Sequence, residues 1–249
     1  MTAIPSAVTG LCMKKRWWQR WRWMVTALAS AALLWLGTCW MMFQHIPSWY
    51  QPILVPPDDL QKVKDDLVAT FDQLSEKMVK QNQPFDCRFT QDQINSWLAI
   101  LEQIWPPSRD WLPPSLSDPF VSIDPKGIRL AATYRKEMLK TVIGARLEVG
   151  VTATGIMLRL TAVSGGMLST PKSWIKEKLA ALDQSVWPAG KQLKSQYGQD
   201  KLPNLSDLAD GILLPNAWIW QNGKQPFKIT NLQLDPGSIL ITFEPLPRH

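Results

Sequence analysis

Histidine is almost absent from this chain. Its 249 residues hold two histidines and three cysteines. His45 lies just past an apolar run and His249 is the final residue given. A Ser-His-Asp or Cys-His nucleophile arrangement therefore lacks a usable imidazole. A zinc site lacks both of its preferred ligand types. Cys12 and Cys39 fall in or before the apolar run, which leaves Cys87 alone beyond it and excludes an internal disulfide there. No Walker loop and no GxGxxG occur, and Ser164-Gly165-Gly166 reads as a flexible loop between elements. Acidic pairs do occur, as Asp58/Asp59 and Asp65/Asp66. They fall in the first turns of an expected helix, where carboxylates favour the positive end of the dipole and face water. The expectation is a non-enzymatic protein with no catalytic residues, no metal site and no cofactor.

Charge is equally uneven. The first acid in the chain is Asp58, whereas Lys14, Lys15, Arg16, Arg20 and Arg22 crowd the start. The whole chain carries +6, from 27 basic and 21 acidic residues. Without those five cations, 22 basic residues face 21 acidic ones. The remaining domain is nearly neutral, so nucleic acid is not an expected partner.

Residues 23 to 43 contain no charge at all. A helix of that length is roughly 30 Å long, the thickness of a bilayer's hydrocarbon core. Basic residues stay on the cytoplasmic side, which puts the N-terminus inside and the rest outside, in the periplasm or at the cell exterior. Trp17, Trp18, Trp21 and Trp23 mark one edge of the run, and Trp40, Trp49 and Tyr50 the other, as interfacial aromatics do. The run ends in Trp-Met-Met-Phe without a small-x-small exit, which favours an uncleaved anchor over a signal peptide. Leu36-Gly37-Thr38-Cys39 approaches a lipobox, but Thr38 and the four large apolar residues after Cys39 fit that pattern poorly. The expected organisation is a basic cytoplasmic tail at 1–22, a single-pass transmembrane helix at 23–43, a proline-rich linker at 44–57 and one extracytoplasmic domain at 58–249.

Within the domain, Asp58 opens a helix whose apolar stripe runs Leu60, Val63, Leu67, Val68, Phe71, Leu74, Met78 and Val79. A short strand at Phe85–Phe89 leads to Thr90 and Gln93, a capping box. The next helix carries Ile94, Trp97, Leu98, Leu101 and Trp105 on one face and stops at Pro106-Pro107. Asp124-Pro-Lys-Gly127 is a turn, followed by three alternating stretches. They place Ile128 to Tyr134, Ile143 to Val151 and Ile156 to Ala162 on an apolar face, with Arg129, Arg135 and Arg146 on a wet one. Thr170-Pro171 starts an amphipathic helix with Trp174, Ile175, Leu179, Leu182 and Val186 inward, and a short helical piece follows near 205–212. Asn222-Gly223 and Asp235-Pro-Gly-Ser238 are hairpin turns. The apolar phase slips between Ile229 and Leu232, the mark of a bulge or of a strand covered on both faces. The fold class is α+β: an N-terminal transmembrane helix, then a curved antiparallel sheet packed with amphipathic helices.

Three stretches resemble the YpmS-like membrane-anchored proteins and the LmeA-like lipid-binding proteins. They are Phe89-Thr-Gln-Asp-Gln-Ile-Asn95-Ser-Trp-Leu98, the Asp124-Pro-Lys-Gly-Ile-Arg-Leu130 meander and Asp210-Gly-Ile-Leu-Leu-Pro215. The resemblance covers most of 85–245, in short apolar motifs. The proline-rich insert at 106–119 and the extra tryptophans depart from it. It implies a tubular lipid-binding (TULIP-like) domain, with a long helix in a curved sheet and an apolar groove for acyl chains. The groove candidates are Asn95, Trp97, Leu98, Leu101, Leu147, Val149, Leu158 and Leu160. Each has an ordinary structural alternative: a backbone hydrogen bond for Asn95 and plain core for the apolar residues. The function expected is lipid binding or handling at the membrane, with membrane lipids as partners. A ligand-free scaffold for other envelope proteins is the alternative.

Overall fold

The computed structural model describes residues 10–80, 83–111, 113–137, 139–170, 177, 205–220 and 225–247. The chain divides into two compact units, Met1–Phe43 and Gln44–His249.

The described residues of the first unit form one helix, α1, whose full range is Gly10–Gln44. Its stretch Trp21–Gln44 is long and apolar enough to cross a membrane. The apolar side chains there are exposed, with Leu28 at 67% and Leu34 at 74%, which a core helix of a soluble fold would not tolerate. The threonine hydroxyls in this stretch donate to their own helix, Thr26 to the Trp23 carbonyl and Thr38 to the Leu34 carbonyl, both at 2.9 Å. Each thus brings its own acceptor, as hydrocarbon surroundings require. The basic tail is helical too, from Gly10 onward, and the Arg22 guanidinium sits 5.9 Å from the Trp18 ring centre.

The second unit is α+β. It contains α2 (Leu60–Lys80), β1 (Phe85–Thr90), α3 (Gln91–Ile104), β2 (Leu116–Asp124), β3 (Gly127–Lys136), β4 (Leu139–Val151), β5 (Ile156–Gly165) and β6 (Leu168–Thr170). After the undescribed residues come β7 (Ile212–Leu214), β8 (Trp218–Trp220), β9 (Gln225–Asp235) and β10 (Ser238–Pro245). The strands form two antiparallel sheets rather than one. The first has the order β1-β10-β9-β8; the second is β2-β3-β4-β5-β6, with β7 also on β5. The helix expected from Pro171 and the Asn222-Gly223 turn lie outside the described residues. The strands flanking that turn pair Trp218 with Phe227 and Trp220 with Gln225.

Leu74 and Met78 of α2 share a buried cluster with Phe85, Phe227 and Phe243 of the first sheet. Val68 and Phe71, from the same apolar stripe, stay exposed. Phe71 instead stacks on Trp220, whose indole N–H donates to Ser75 at 3.1 Å. The phase slip in β9 is a bulge: Thr242 pairs with Asn231 and Phe243 with Ile229, so Thr230 has no partner. Glycine is required at position 127, where φ is +142° and a Cβ would lie 2.3 Å from the Leu147 carbonyl oxygen.

One stretch departs from the expected alternation. On β3 the expected inward residue Leu130 is 40% exposed, while Ala131 and Thr133 of the expected wet face are buried. The segment before α2 accounts for the burial of Ala131 and Thr133. Pro47 and Tyr50 close a turn through a 3.0 Å backbone bond, and Tyr50 packs with Phe120, Ala131 and Val142. The Tyr50 hydroxyl donates to the Asp118 carbonyl at 2.7 Å, so Thr133 donates to it in turn, also at 2.7 Å. Burial raises this phenol's pKa above its ordinary value. Part of the proline-rich linker is therefore fastened to the sheet rather than spaced away from it.

The capping box is present as read: Thr90 accepts from the Gln93 N–H, and the Gln93 side chain accepts from the Thr90 N–H, each at 3.2 Å. Replacing Thr90 with Ala should cost about 1 kcal/mol of domain stability, measured by denaturant unfolding.

Candidate functional site

The candidate residues fall into three places. Asn95 is 2% exposed on α3 and points at β2. That strand ends its sheet, so half of its backbone groups face away from β3. The Asn95 amide donates to the Val121 carbonyl and accepts from the Val121 N–H, both at 2.7 Å. It behaves as one more peptide unit added to the sheet. One turn earlier, Gln91 accepts from the Ile123 N–H at 2.9 Å, and the Gly237 N–H donates to the Ile123 carbonyl at 3.0 Å. The Gln91 N–H closes the set on the Gly237 carbonyl at 2.8 Å. Both polar atoms of Asn95 are thus engaged by backbone, which is the structural alternative raised for it.

Trp97 lies elsewhere. Its ring meets Phe71 and Phe89 with centroids 6.1 Å away, and its N–H donates to Asp66 at 3.2 Å. Leu98 and Leu101 are half-buried on α3, whose neighbours are β2, α2 and β1. The other four candidates do come together. Leu147 pairs with Leu160 and Val149 with Leu158, so the quartet shares one face of β4 and β5. Ile128 pairs with Leu147, and Leu130 with Ala145, extending that face across β3. Leu130 and Ile143 remain 40% and 38% exposed on it.

The opposite face holds a cluster that strand alternation alone left as solvated charge. Arg129 and Arg146 pair directly across β3 and β4. Two like charges in that position repel. Asp124, at the end of β2, separates them: its Oδ2 takes Arg129 at 2.9 Å and Arg146 at 2.5 Å. Burial works to raise the Asp124 carboxyl, but the Lys126 N–H and the two guanidiniums outweigh it and hold the group below its ordinary pKa. The Arg129 guanidinium sits 5.5 Å from the centre of the Trp49 ring. Beside it opens a cleft of about 160 Å³, lined by Trp49, Arg129, Arg146, Ala162 and Ser164, with Gly144 among them. A Cβ on Gly144 would lie 2.9 Å from the Ser164 hydroxyl and 3.5 Å from the Trp49 ring, so the missing side chain keeps the cleft open.

Ala162 reaches this face through a bulge. Arg146 pairs with Ala162 but Leu147 with Leu160, which leaves Thr161 unpartnered. One extra residue moves Ala162 from the expected apolar face to the arginine face. The signal for the cluster was available only as register: both arginines were legible, but their juxtaposition was not.

Among the described residues, no group of three or more His, Cys, Asp or Glu side chains converges to hold a metal. Comparison with family models and with curated proteins finds no match.

Asn95→Ala removes both bonds and strands the outward groups of Val121. The domain should lose about 2–4 kcal/mol of stability, read as a shift in the denaturant midpoint.

Proposed function

We propose that this protein is a non-enzymatic, membrane-tethered lipid-binding domain, held outside the cytoplasmic membrane by α1. The observation that carries the reading is the register of β4 and β5. It gathers Leu147, Val149, Leu158 and Leu160, four of the sequence-derived groove candidates, on one face of the second sheet. That face continues through Ile128 and Leu130, and Leu130 and Ile143 on it are open to solvent. Leu160 is already buried at 4%, but the exposed part of this face, at Leu130 and Ile143, is costly to leave in water, at about 25 cal/mol per Å². Acyl chains would remove that cost without needing any polar partner. A curved sheet enclosing those chains, with α3 along it, is the finer form of the proposal. The exposed apolar helix and the five cations before it support a single-pass anchor with the N-terminus inside.

Two experiments test the two halves of this reading. For binding, a protease site introduced after Phe43 releases the domain without detergent, and its organic extract is analysed by mass spectrometry. A lipid in stoichiometric amount is expected, reduced in a Leu147→Asp variant that still folds. No bound lipid, together with no transfer of lipid between vesicles, would leave only the scaffold alternative. For orientation, Leu54 is 85% exposed, and an impermeant maleimide should label a Leu54→Cys variant in intact cells. Cys87 is a free, half-buried thiol, so the chain without the Leu54 substitution serves as the labelling blank. Labelling of position 54 only after permeabilisation would reverse the topology.

A further inference from the structure

The geometry points to an anion site in the cleft between Trp49 and the β3–β4 arginines, built to take a single phosphate group through Arg129, Arg146 and Ser164. This site lies on the face of the sheet opposite the apolar quartet, so it goes beyond the lipid-groove reading and survives that reading's failure.

Four observations carry it. First, the charges do not cancel: two guanidiniums share one carboxylate, and the next pair along, Arg159 and Glu148, is neutral within itself. One positive charge is left at the cleft. Second, the hydrogen-bonding capacity is not exhausted. The Nε–H of Arg146 is buried and has no hydrogen-bond partner in the structure. Asp124 spends Oδ2 on both arginines and Oδ1 on the Lys126 N–H. Guanidiniums present five donors in a fixed fork that matches a tetrahedral oxyanion, so donors remain after Asp124 is served. Third, the space is of the right kind: an open cleft of about 160 Å³ beside these donors, with the Ser164 hydroxyl on its wall. That is room for a phosphate and a few attached atoms, not for an acyl chain. Fourth, the surroundings are built to keep it. Trp49 holds the Arg129 guanidinium by its ring face, and Tyr50 beside it is buried and bonded to Asp118 and Thr133. Gly144 has no side chain to fill the gap, and the Thr161 bulge places the small Ala162 beside Arg146.

A purely structural role for the cluster would need only charge balance, and a single arginine on Asp124 supplies that. The second arginine, placed directly opposite the first against their mutual repulsion, is what a phosphate explains. A phosphomonoester on a lipid headgroup and a dissolved phosphate share this chemistry. Trp49 lies five residues beyond the end of α1 in the chain, so both sources are put to the test.

The full chain is placed in nanodiscs of phosphatidylcholine alone and titrated with inorganic phosphate by calorimetry. Saturable binding is expected. Arg129→Gln and Arg146→Gln should each weaken it about tenfold or more, about 1.4 kcal/mol or above, with Arg146→Lys between them and wild type. Asp124→Asn removes the competing carboxylate while keeping both arginines, and should tighten binding several-fold even if it lowers Tm. A cluster that serves only as an ion-pair brace predicts the lower Tm without tighter binding. Ser164→Ala removes a donor without touching any ion pair and should weaken binding a few-fold; it decides the matter if the charge variants fail to fold. In nanodiscs that also contain phosphatidic acid, a headgroup ligand competes and the phosphate titration is suppressed, whereas a dissolved ligand leaves it unchanged. Absence of saturable binding by the wild type, or equal binding by wild type, Arg146→Gln and Ser164→Ala, overturns the proposal.

Discussion

The amide clamp between α3 and β2 holds the two sheets of this domain together. Asn95 and Gln91 sit one helical turn apart and meet alternate residues of the strand, Val121 and Ile123. A helix advances 1.5 Å per residue and a strand about 3.3 Å, so four helical positions match two strand positions closely. That coincidence lets a helix side bond to a strand edge without distortion. The remaining carbonyl, that of Ile123, is met by Gly237 from the β9–β10 turn, which itself holds the start of α3. One edge thus binds a helix and a turn of the other sheet at once. It also leaves no free row of donors on β2 between Val121 and Ile123, the usual liability of a terminal strand.

Local features were legible in the sequence where a local rule governs them. The capping box at Thr90, the turns at Asp124–Gly127 and Asp235–Ser238, and the phase slip near Thr230 all depend on residues within a few positions of each other. The same holds for the apolar helix, whose period and length need no partner. What escaped was whatever depends on register or on distant chain. Two sheets replace one because β1 pairs with β10, Phe85 lying opposite Phe243. No pattern in either segment names the other. Ala162 changed faces because one unpaired residue, Thr161, resets the alternation. Ala131 and Thr133 are buried against expectation because Trp49 and Tyr50, read as the far border of a membrane segment, fold onto that face of β3.

The two faces of the second sheet divide the chemistry. One gathers branched aliphatic residues that ask only for exclusion of water. The other sets guanidiniums, a carboxylate and an indole around a small cleft, where geometry and charge matter more than area. The covering of that side by Tyr50 and Trp49 is what places the two arginines at the wall of a cleft.

The pairing of β1 with β10 also bears on how the chain must be made. Residues near 85 wait for residues near 243, and the Ile123 carbonyl waits for Gly237. The meander of β2 to β5 closes from neighbours in sequence and is complete early in synthesis. The first sheet, with the phenylalanine cluster beneath α2, stays open until the chain beyond Gln225 has emerged. Contacts of such separation are slow to form and leave apolar surface exposed in the interval. A chain made from its N-terminus therefore carries an unfinished domain until its last strands arrive, and the β9–β10 hairpin is the piece that closes the first sheet.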